Sequence, residues 1–362
     1  MDEVLDRVRE FAPGLRAAAA GIDRDGAVPQ EIIDRLLEAG VFRLAAPAAH
    51  GGLEAEPSRL VAVFEELGRA EASTGWCAMI GAATGIALAY LPGEVAASML
   101  ADPRFLIAGV AAPMGRATAV DGGYRLTGRW AFASACRHAT WLVAGALTPD
   151  GVRMCVLDAG SVTIHDTWQA FGLRGTGSHD FSVEDVFVPR DHTFSLAGPP
   201  SDRGALYRLP PASLLSLGIP AVALGMARAA IEDFGELART KRDGATGEFV
   251  ASRATVRTAT AQAQALYRSG RAYLLDEITT GGADVERRAA QRLAIATATR
   301  FAAQAVDVVY EAAGGSAVYQ SSPLQRHFRD VHAAAQHAMV SSSVVETAGA
   351  VLLGQDVDVR RL

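Results

Sequence analysis

The sequence predicts an α+β protein built from three consecutive blocks: an N-terminal helical domain over 1–104, a small central β-barrel or sandwich over 105–195, and a C-terminal four-helix bundle over 212–362. Three observations carry that expectation. Apolar residues recur with a helical period up to about residue 104. Near Phe105 the period gives way to short apolar or alternating segments broken by turn residues. Beyond Ala212 the helical period returns in four long segments. A chain of 362 residues has room for two or three cores.

In order, Pro29–Gly40 places Ile32, Ile33, Leu36 and Leu37 on one face and stops at Gly40. Pro57–Arg69 repeats the pattern with Leu60, Val61, Phe64 and Leu67. Ser73 is expected to cap an apolar helix, Trp76–Tyr90, too poor in polar surface to lie outside. Pro92–Leu100 is a short amphipathic piece. Six strands are expected: Phe105–Val110, Tyr124–Phe132, Trp141–Leu147, Val152–Leu157, Val162–Thr167 and Phe181–Val188, with hairpin turns at Asp121-Gly-Gly and Pro149-Asp-Gly. Residues 190–211 read as loop. The bundle helices are expected at Leu214–Arg242, Gly247–Thr280, Val285–Ala313 and Pro323–Leu353, with breaks at Asp243-Gly, Gly281-Gly and Gly314-Gly.

Composition narrows the function. Half of the residues are hydrophobic, a fifth are charged, and the formal net charge is −6. No basic patch interleaves with aromatics, which argues against nucleic acid. Lys241 is the only lysine, set in a charged run that reads as a solvated helix end. Three cysteines without a CxxC argue against a disulfide framework and a structural zinc site. The N-terminus lacks a signal-peptide core and the run Trp76–Leu91 is short for a membrane span, so a cytoplasmic protein with no membrane partner is expected. Leftover helix surface in an alanine-rich bundle predicts a homo-oligomer.

The stretch Trp130–Trp141 mixes aromatic rings, small residues, Ser134, Cys136 and His138. Small side chains let a ring approach the backbone and a hydroxyl satisfies heteroatoms, which suits a flat, partly polar ligand; the plain alternative is a strand pair whose aromatics are core. Gly172, Gly175 and Gly177 permit positive φ and bring N–H groups near a ligand, or form an ordinary inter-strand loop. Gly314-Gly-Ser can present N–H groups to an anion or merely end a helix. His332 and His337, five apart, share no helical face and make a poor metal pair, so no metal is expected. His165, His179 and His192 fall at strand or loop ends and read as solvated.

Three motifs in this order resemble the acyl-CoA dehydrogenase superfamily: Gly172–Pro189 at the end of the β block, Gly218–Ala230 in the first bundle helix, and Ala313-Gly-Gly-Ser with Pro323–Asp330 before the last helix. The resemblance covers nearly the whole chain. It departs where a thioester dehydrogenase needs its glutamate base: those positions fall at Ala338 and Leu215. The chain is more similar to the flavin-dependent monooxygenases of this fold. Their Trp…Ser-Gly-Cys…His-Ala…Trp pattern is matched by Trp130, Ser134, Cys136, His138, Ala139 and Trp141, with Ala135 replacing the common glycine. Their Arg-Asp followed by His is matched by Asp330 with His332 and His337, while Thr84 stands where some members carry a histidine.

The resemblance implies reduced FMN or FAD supplied by a separate flavin reductase, O2 as co-substrate, a flavin C4a-hydroperoxide as oxidant, and a small aromatic or polyketide-type substrate or an amine. It implies a homotetramer. It assigns catalysis to His337 and Ser134, and places Trp130, Ser134, Trp168, Gly177 and Ser178 around the flavin. Ser178 and, from a neighbouring subunit, Gly314, Gly315 and Ser316 would meet the phosphate end. Arg242 remains in Lys241-Arg-Asp-Gly-Ala to reach a phosphate. Trp76, Met79, Thr84 and Phe194 are expected to line the substrate cavity. The competing readings are an acyl-thioester dehydrogenase with a displaced base, Glu346 or Glu311, and a flavin-binding homologue without activity.

Overall fold

The N-terminal helices bury the stripes that the sequence marks. The computed structural model describes residues 2–280, 282–358 and 362; Gly281, half of one expected break, lies outside them. Helix α1 (Asp2–Asp25) turns Val8, Leu15 and Ile22 inward. Helix α2 (Gln30–Glu38) buries Ile32, Ile33 and Leu36 and ends at Gly40, whose φ of +80° is the left-handed stop. Helix α3 (Pro57–Ala70) buries Leu60, Val61, Phe64 and Leu67. Helix α4 (Ala72–Thr84) begins earlier than expected, because Glu71 and not Ser73 is its N-cap: the carboxylate accepts from Ser73 N at 3.1 Å and Thr74 N at 2.6 Å. A 3-10 stretch, Gly85–Tyr90, continues it, and α5 (Gly93–Ala101) closes the block.

Seven strands follow: β1 (Ile107–Val120), β2 (Gly123–Ala133), β3 (Trp141–Thr148), β4 (Gly151–Asp158), β5 (Thr163–His165), β6 (His179–Pro189) and β7 (Thr193–Phe194). They pair as one mixed sheet in the order β5-β6-β2-β1-β3-β4-β7. The β1–β3 pair is parallel, and its register shifts between Val110 and Gly115. Pro113 falls in that bulge, where the missing N–H costs no ladder bond. Beyond the bulge β1 runs ten residues past its expected end at Val110 and pairs with β2 from Arg116 to Val120.

Helices α6 (Pro211–Ser216), α7 (Gly218–Thr240), α8 (Ala254–Thr279), α9 (Val285–Ala313), α10 (Pro323–Ala335) and α11 (Ser342–Leu352) form the C-terminal block. The segment expected as one helix over Pro323–Leu353 is broken: the His337 side chain caps a 3-10 turn, Ala338–Val340, between α10 and α11. Helix α7 is the central element and packs on α3, α4, α8, α9 and α10. Close approach explains its small residues: a Cβ on Gly68 of α3 would stand 2.5 Å from the Val222 carbonyl oxygen of α7. Ala72–Tyr90 and Pro211–Thr240 are long and apolar enough to cross a membrane, but 89% and 83% of their most apolar windows lie inside the protein.

Candidate active site

The site starts from Ser134. Phe132, two positions before it, and Ala135, just after it, both hold positive φ, at +66° and +61°. Non-glycine residues adopt that region at a cost, and such strain gathers at functional positions. The turn is held by Ser134 N–H donating to Phe132 O at 3.0 Å and Ala135 N–H donating to Thr176 O at 3.1 Å. Ser134 is 5% exposed. Its Oγ accepts from the Trp76 indole N–H at 3.1 Å and lies 2.7 Å from Ser178 Oγ.

The glycine loop packs against this turn and is clamped from several sides. Leu173, at φ +52°, donates its N–H to Asp330 Oδ1 at 2.6 Å. A Cβ on Gly172 would stand 2.1 Å from the Arg329 carbonyl oxygen, so the loop lies directly on α10. Gly175 O accepts from Val28 N–H at 3.1 Å, and Arg174 Nε donates to Asp23 O at 2.9 Å. Gly177 takes the left-handed φ of +51° that the sequence reserves for it. Burial pushes the Asp330 carboxyl up to about 7, against the Leu173 N–H bond that favours its charge.

Trp76 links the serine to the last helices. Its ring centroid is 5.8 Å from that of His337. The Nδ1 of His337 accepts the Met339 N–H at 3.2 Å, so the neutral ring carries its proton on Nε2. Burial lowers the His337 pKa below the usual histidine value, and the Arg292 cation lowers it further. Arg292 is 3% exposed and donates from Nη2 to Met339 O at 2.9 Å and from Nη1 to Ser216 Oγ. It thereby ties the His337 turn to α6, and desolvation lowers its own pKa to about 10. No carboxylate pairs with it among the described residues.

Several expected lining residues are core instead. Trp130 is fully buried, stacks on Phe181 at 4.9 Å and donates its indole N–H to Gly145 O at 2.8 Å. The room left by Gly115 and Gly128, whose Cβ atoms would meet the Trp130 ring at 2.3 and 2.7 Å, is filled by Trp130 itself. Met79 is fully buried against Gly218. Phe194 is buried on β7, stacked on Tyr90 at 5.3 Å in a separate small core under α5. Thr84 donates to Ile80 O at 2.7 Å within its own helix turn. Ser178 spends its hydroxyl on Ser134 and Thr176, so its buried side chain does not face a phosphate. Trp168 is half-buried, its N–H on Leu173 O at 3.0 Å, and Phe132, 73% exposed, meets its edge at 6.3 Å.

Other residues carry structure that sequence reasoning missed. His179 is not solvated: it is 3% exposed, and its Nδ1 accepts the N–H groups of Thr167 and Trp168 at 3.2 and 3.1 Å. Burial and nearby Arg137 lower its pKa, so it stays neutral and fixes the segment carrying Trp168. His332 pairs with Asp307 at 2.7 Å, and His138 packs its Nδ1 on Gln30 at 3.1 Å. Arg292 had a signal: it shares a helical stripe with the buried Ala289, Ile295, Ala296 and Thr299.

Carboxylates do not replace the missing glutamate. Ala338 and Leu215 stand at the expected base positions, and Glu346 and Glu311 are exposed. Glu71 and Asp330, buried beside the loop, are spent on backbone N–H groups. Burial also pushes the Cys136 and Cys155 thiols up to about 11, which excludes them as nucleophiles near neutral pH.

Arg242, Gly314 and Gly315 line one cleft of about 250 Å³ with Lys241 and Arg253. Lys241 Nζ donates to Ser316 Oγ. Arg242 stacks 4.1 Å over Phe249. That cleft shares no residue with the Ser134 site. A second cleft, about 490 Å³, is lined by Glu65, Glu66, Arg228 and Arg271, and its carboxylates are already ion-paired.

Comparison with known proteins shows the family. Residues 1–93 match the N-terminal domain of acyl-CoA dehydrogenases and residues 217–342 match an acyl-CoA dehydrogenase C-terminal domain. An indole-3-acetate monooxygenase of Acinetobacter baumannii is 32% identical over 98% of this chain and 93% of its own length. A FADH(2)-dependent resorcinol hydroxylase, oxygenase component, of Rhizobium sp. is 30% identical over 98% of this chain and 93% of its own. The crystal structure of 3-HSA hydroxylase from Rhodococcus sp. RHA1 superposes with a TM-score of 0.92 at 27% identity, covering 98% of each chain. The chain belongs to the acyl-CoA dehydrogenase superfamily, and within it to the flavin-dependent monooxygenases.

Proposed function

We propose that this chain is the oxygenase component of a two-component system that hydroxylates a small aromatic substrate with O2 and reduced flavin delivered by a separate reductase. The residues fit a flavin ring: the strained Phe132–Ala135 turn, the left-handed Gly177, the exposed Phe132 and the half-buried Trp168 form one edge around Ser134. Bound reduced flavin supplies the two electrons that activate oxygen. With those electrons one atom of O2 would enter the substrate and the other would leave as water.

This chain's residues orient and shield. Trp76 offers an aromatic ring beside Ser134, and its burial, 5% exposed, keeps water from it. His337 holds its proton at Nε2 and donates it in a hydrogen bond to the substrate's polar oxygen. Arg292 keeps the His337 turn in place and its ring uncharged. The observation that carries the reading is the Trp76 ring, bonded to Ser134 through its N–H and 5.8 Å from His337.

FAD rather than FMN is the cofactor we favour, with its phosphate end on Arg242, Gly314 and Gly315 of a neighbouring copy. Val318, Tyr319, Leu352 and Leu353, 64 to 77% exposed, give the bundle apolar surface for a homotetramer. Three unpaired thiols suit a cytoplasmic, reducing location.

The test supplies FADH2 and oxygen to the purified protein with an aromatic carboxylate or phenol panel. Product formed in step with oxygen consumption is expected. His337→Ala should cut that coupling by about a hundredfold, the lower end for a positioned proton donor. Equal coupling in the variant, or no reduced-flavin binding by the native protein, would overturn the reading.

A further inference from the structure

Arg292 is the only arginine or lysine buried among the described residues, at 3% exposure. Helix α9 carries it into the corner between α6 and the turn that follows His337. Its hydrogen bonds all go to neutral oxygens. From Nη1 it donates to Ser216 Oγ and, at 3.5 Å, to Ala212 O; from Nη2 it donates to Met339 O at 2.9 Å. Nε is buried and bonds nothing. Gln291, the preceding residue, accepts from Ser213 Oγ at 2.8 Å and leaves its own buried amide nitrogen without an acceptor.

The other buried charges are answered. Glu65 holds Arg271 at 2.8 Å, Glu66 holds Arg69 at 2.9 Å, and Glu71 and Asp330 take backbone N–H groups. A guanidinium stays charged near neutral pH, so a dry site suits it only when an opposite charge stands close. The position of this one is informative. Met339, whose carbonyl Arg292 holds, gives its N–H to His337 Nδ1 at 3.2 Å, and the His337 ring is 5.8 Å from Trp76. The chain neighbours of those bonds are open: Leu215 is half-buried and Ala338 exposed. A ligand beside His337 therefore lies one residue from the uncompensated cation.

We propose that Arg292 anchors a carboxylate on the substrate, so that this chain takes aromatic acids and discriminates against neutral arenes of the same shape. The carboxylate brings the opposite charge that the fold withholds and an acceptor for the free N–H, while the ring lies toward Trp76. The inference rests on the proposed placement of the substrate at His337, and it names the substrate class. A primary amide has nearly the size and outline of the acid without its charge, so the pair isolates the anchor. An arginine that only tied the His337 turn would treat both alike.

Anaerobic calorimetry on the native protein with FADH2 present compares benzoate, salicylate, phenylacetate and indole-3-acetate with their primary amides. At least one acid is expected to bind about tenfold or more tightly than its amide, the worth of a charge-assisted bond in a dry site. In turnover the same pair should differ in KM far more than in kcat. Arg292→Gln should bring the acid-to-amide ratio near one by weakening the acid. Arg292→Lys, which keeps a cation, should retain part of the preference. If Arg292→Gln does not fold, the native ratio decides alone. No acid preferred over its amide, or a preference that survives Arg292→Gln, overturns the inference, while coupled hydroxylation of the neutral compounds would leave the monooxygenase reading intact. A native protein that binds neither FADH2 nor any of these compounds overturns both.

Discussion

Ala135 bears a methyl group in a left-handed backbone position, φ +61°, beside the serine at the centre of the site. That conformation costs an L-residue roughly 1–2 kcal/mol and glycine almost nothing. After the extra freedom of an unfolded glycine is counted, Ala135→Gly is expected to stabilise the fold by about 0.5–1 kcal/mol. Urea unfolding of the two proteins would measure it, and a destabilised variant would show that the turn carries no such strain. The sequence had flagged this position as an alanine where relatives of its type carry glycine. It also brought Trp76, Ser134 and His337 to notice, and the structure places the three in one contact chain. Trp130, Met79 and Phe194 misled for a shared reason. A large apolar side chain beside small residues has the same signature whether the space is kept for a ligand or filled by the side chain itself.

At the level of elements, the long helices were legible where both ends carry a stop. Helix α9 runs over the expected Val285–Ala313 because the Asp284 side chain accepts from Arg287 N–H at one end and Gly314 turns left-handed at the other. The break between α10 and α11 was hidden, since apolar spacing continues through it and the cause is one histidine side chain accepting a backbone N–H. The clamp of α10 on the glycine loop was equally invisible, because its partners are far apart in sequence. That clamp makes stability depend on pH. Asp330 has a folded pKa near 7 against 3.8 when unfolded, so the folded chain keeps a proton that the unfolded chain releases. Its contribution is full below about pH 4 and is lost as pH rises to about 7, at no more than about 1.4 kcal/mol per unit. Asp330→Asn keeps an oxygen for the Leu173 N–H and removes the charge. Thermal unfolding should show it more stable than the native protein at pH 8, with the gain shrinking toward pH 5. A gain independent of pH would place the proton elsewhere.

For the molecule as a whole, the order of helical block, sheet and bundle was readable because each block has its own hydrophobic period. Within the sheet, short strands with frequent turns did not announce the register shift after Val110 that lets β1 run on to Val120. How copies of the chain assemble is argued from the Arg242 cleft, which shares no residue with the Ser134 site. If one copy's cleft holds another copy's cofactor tail, Arg242→Ala should weaken FADH2 about fivefold and leave FMNH2 unchanged, the modest loss expected of an exposed charge. Sedimentation should give a tetramer for the native protein. Equal losses for both flavins would place Arg242 away from the adenylate end.

The bond from Leu173 N–H to Asp330 joins residues 157 positions apart. On the ribosome the glycine loop therefore emerges long before the helix that seats it. At about 5–20 residues per second the gap lasts roughly ten to thirty seconds. Until α10 arrives the loop is held only by the earlier elements, through Val28, Asp23, Ala135 and Trp168. A chain released before α10 is made would therefore keep its paired sheet and lose the contact that closes the glycine loop from the bundle side.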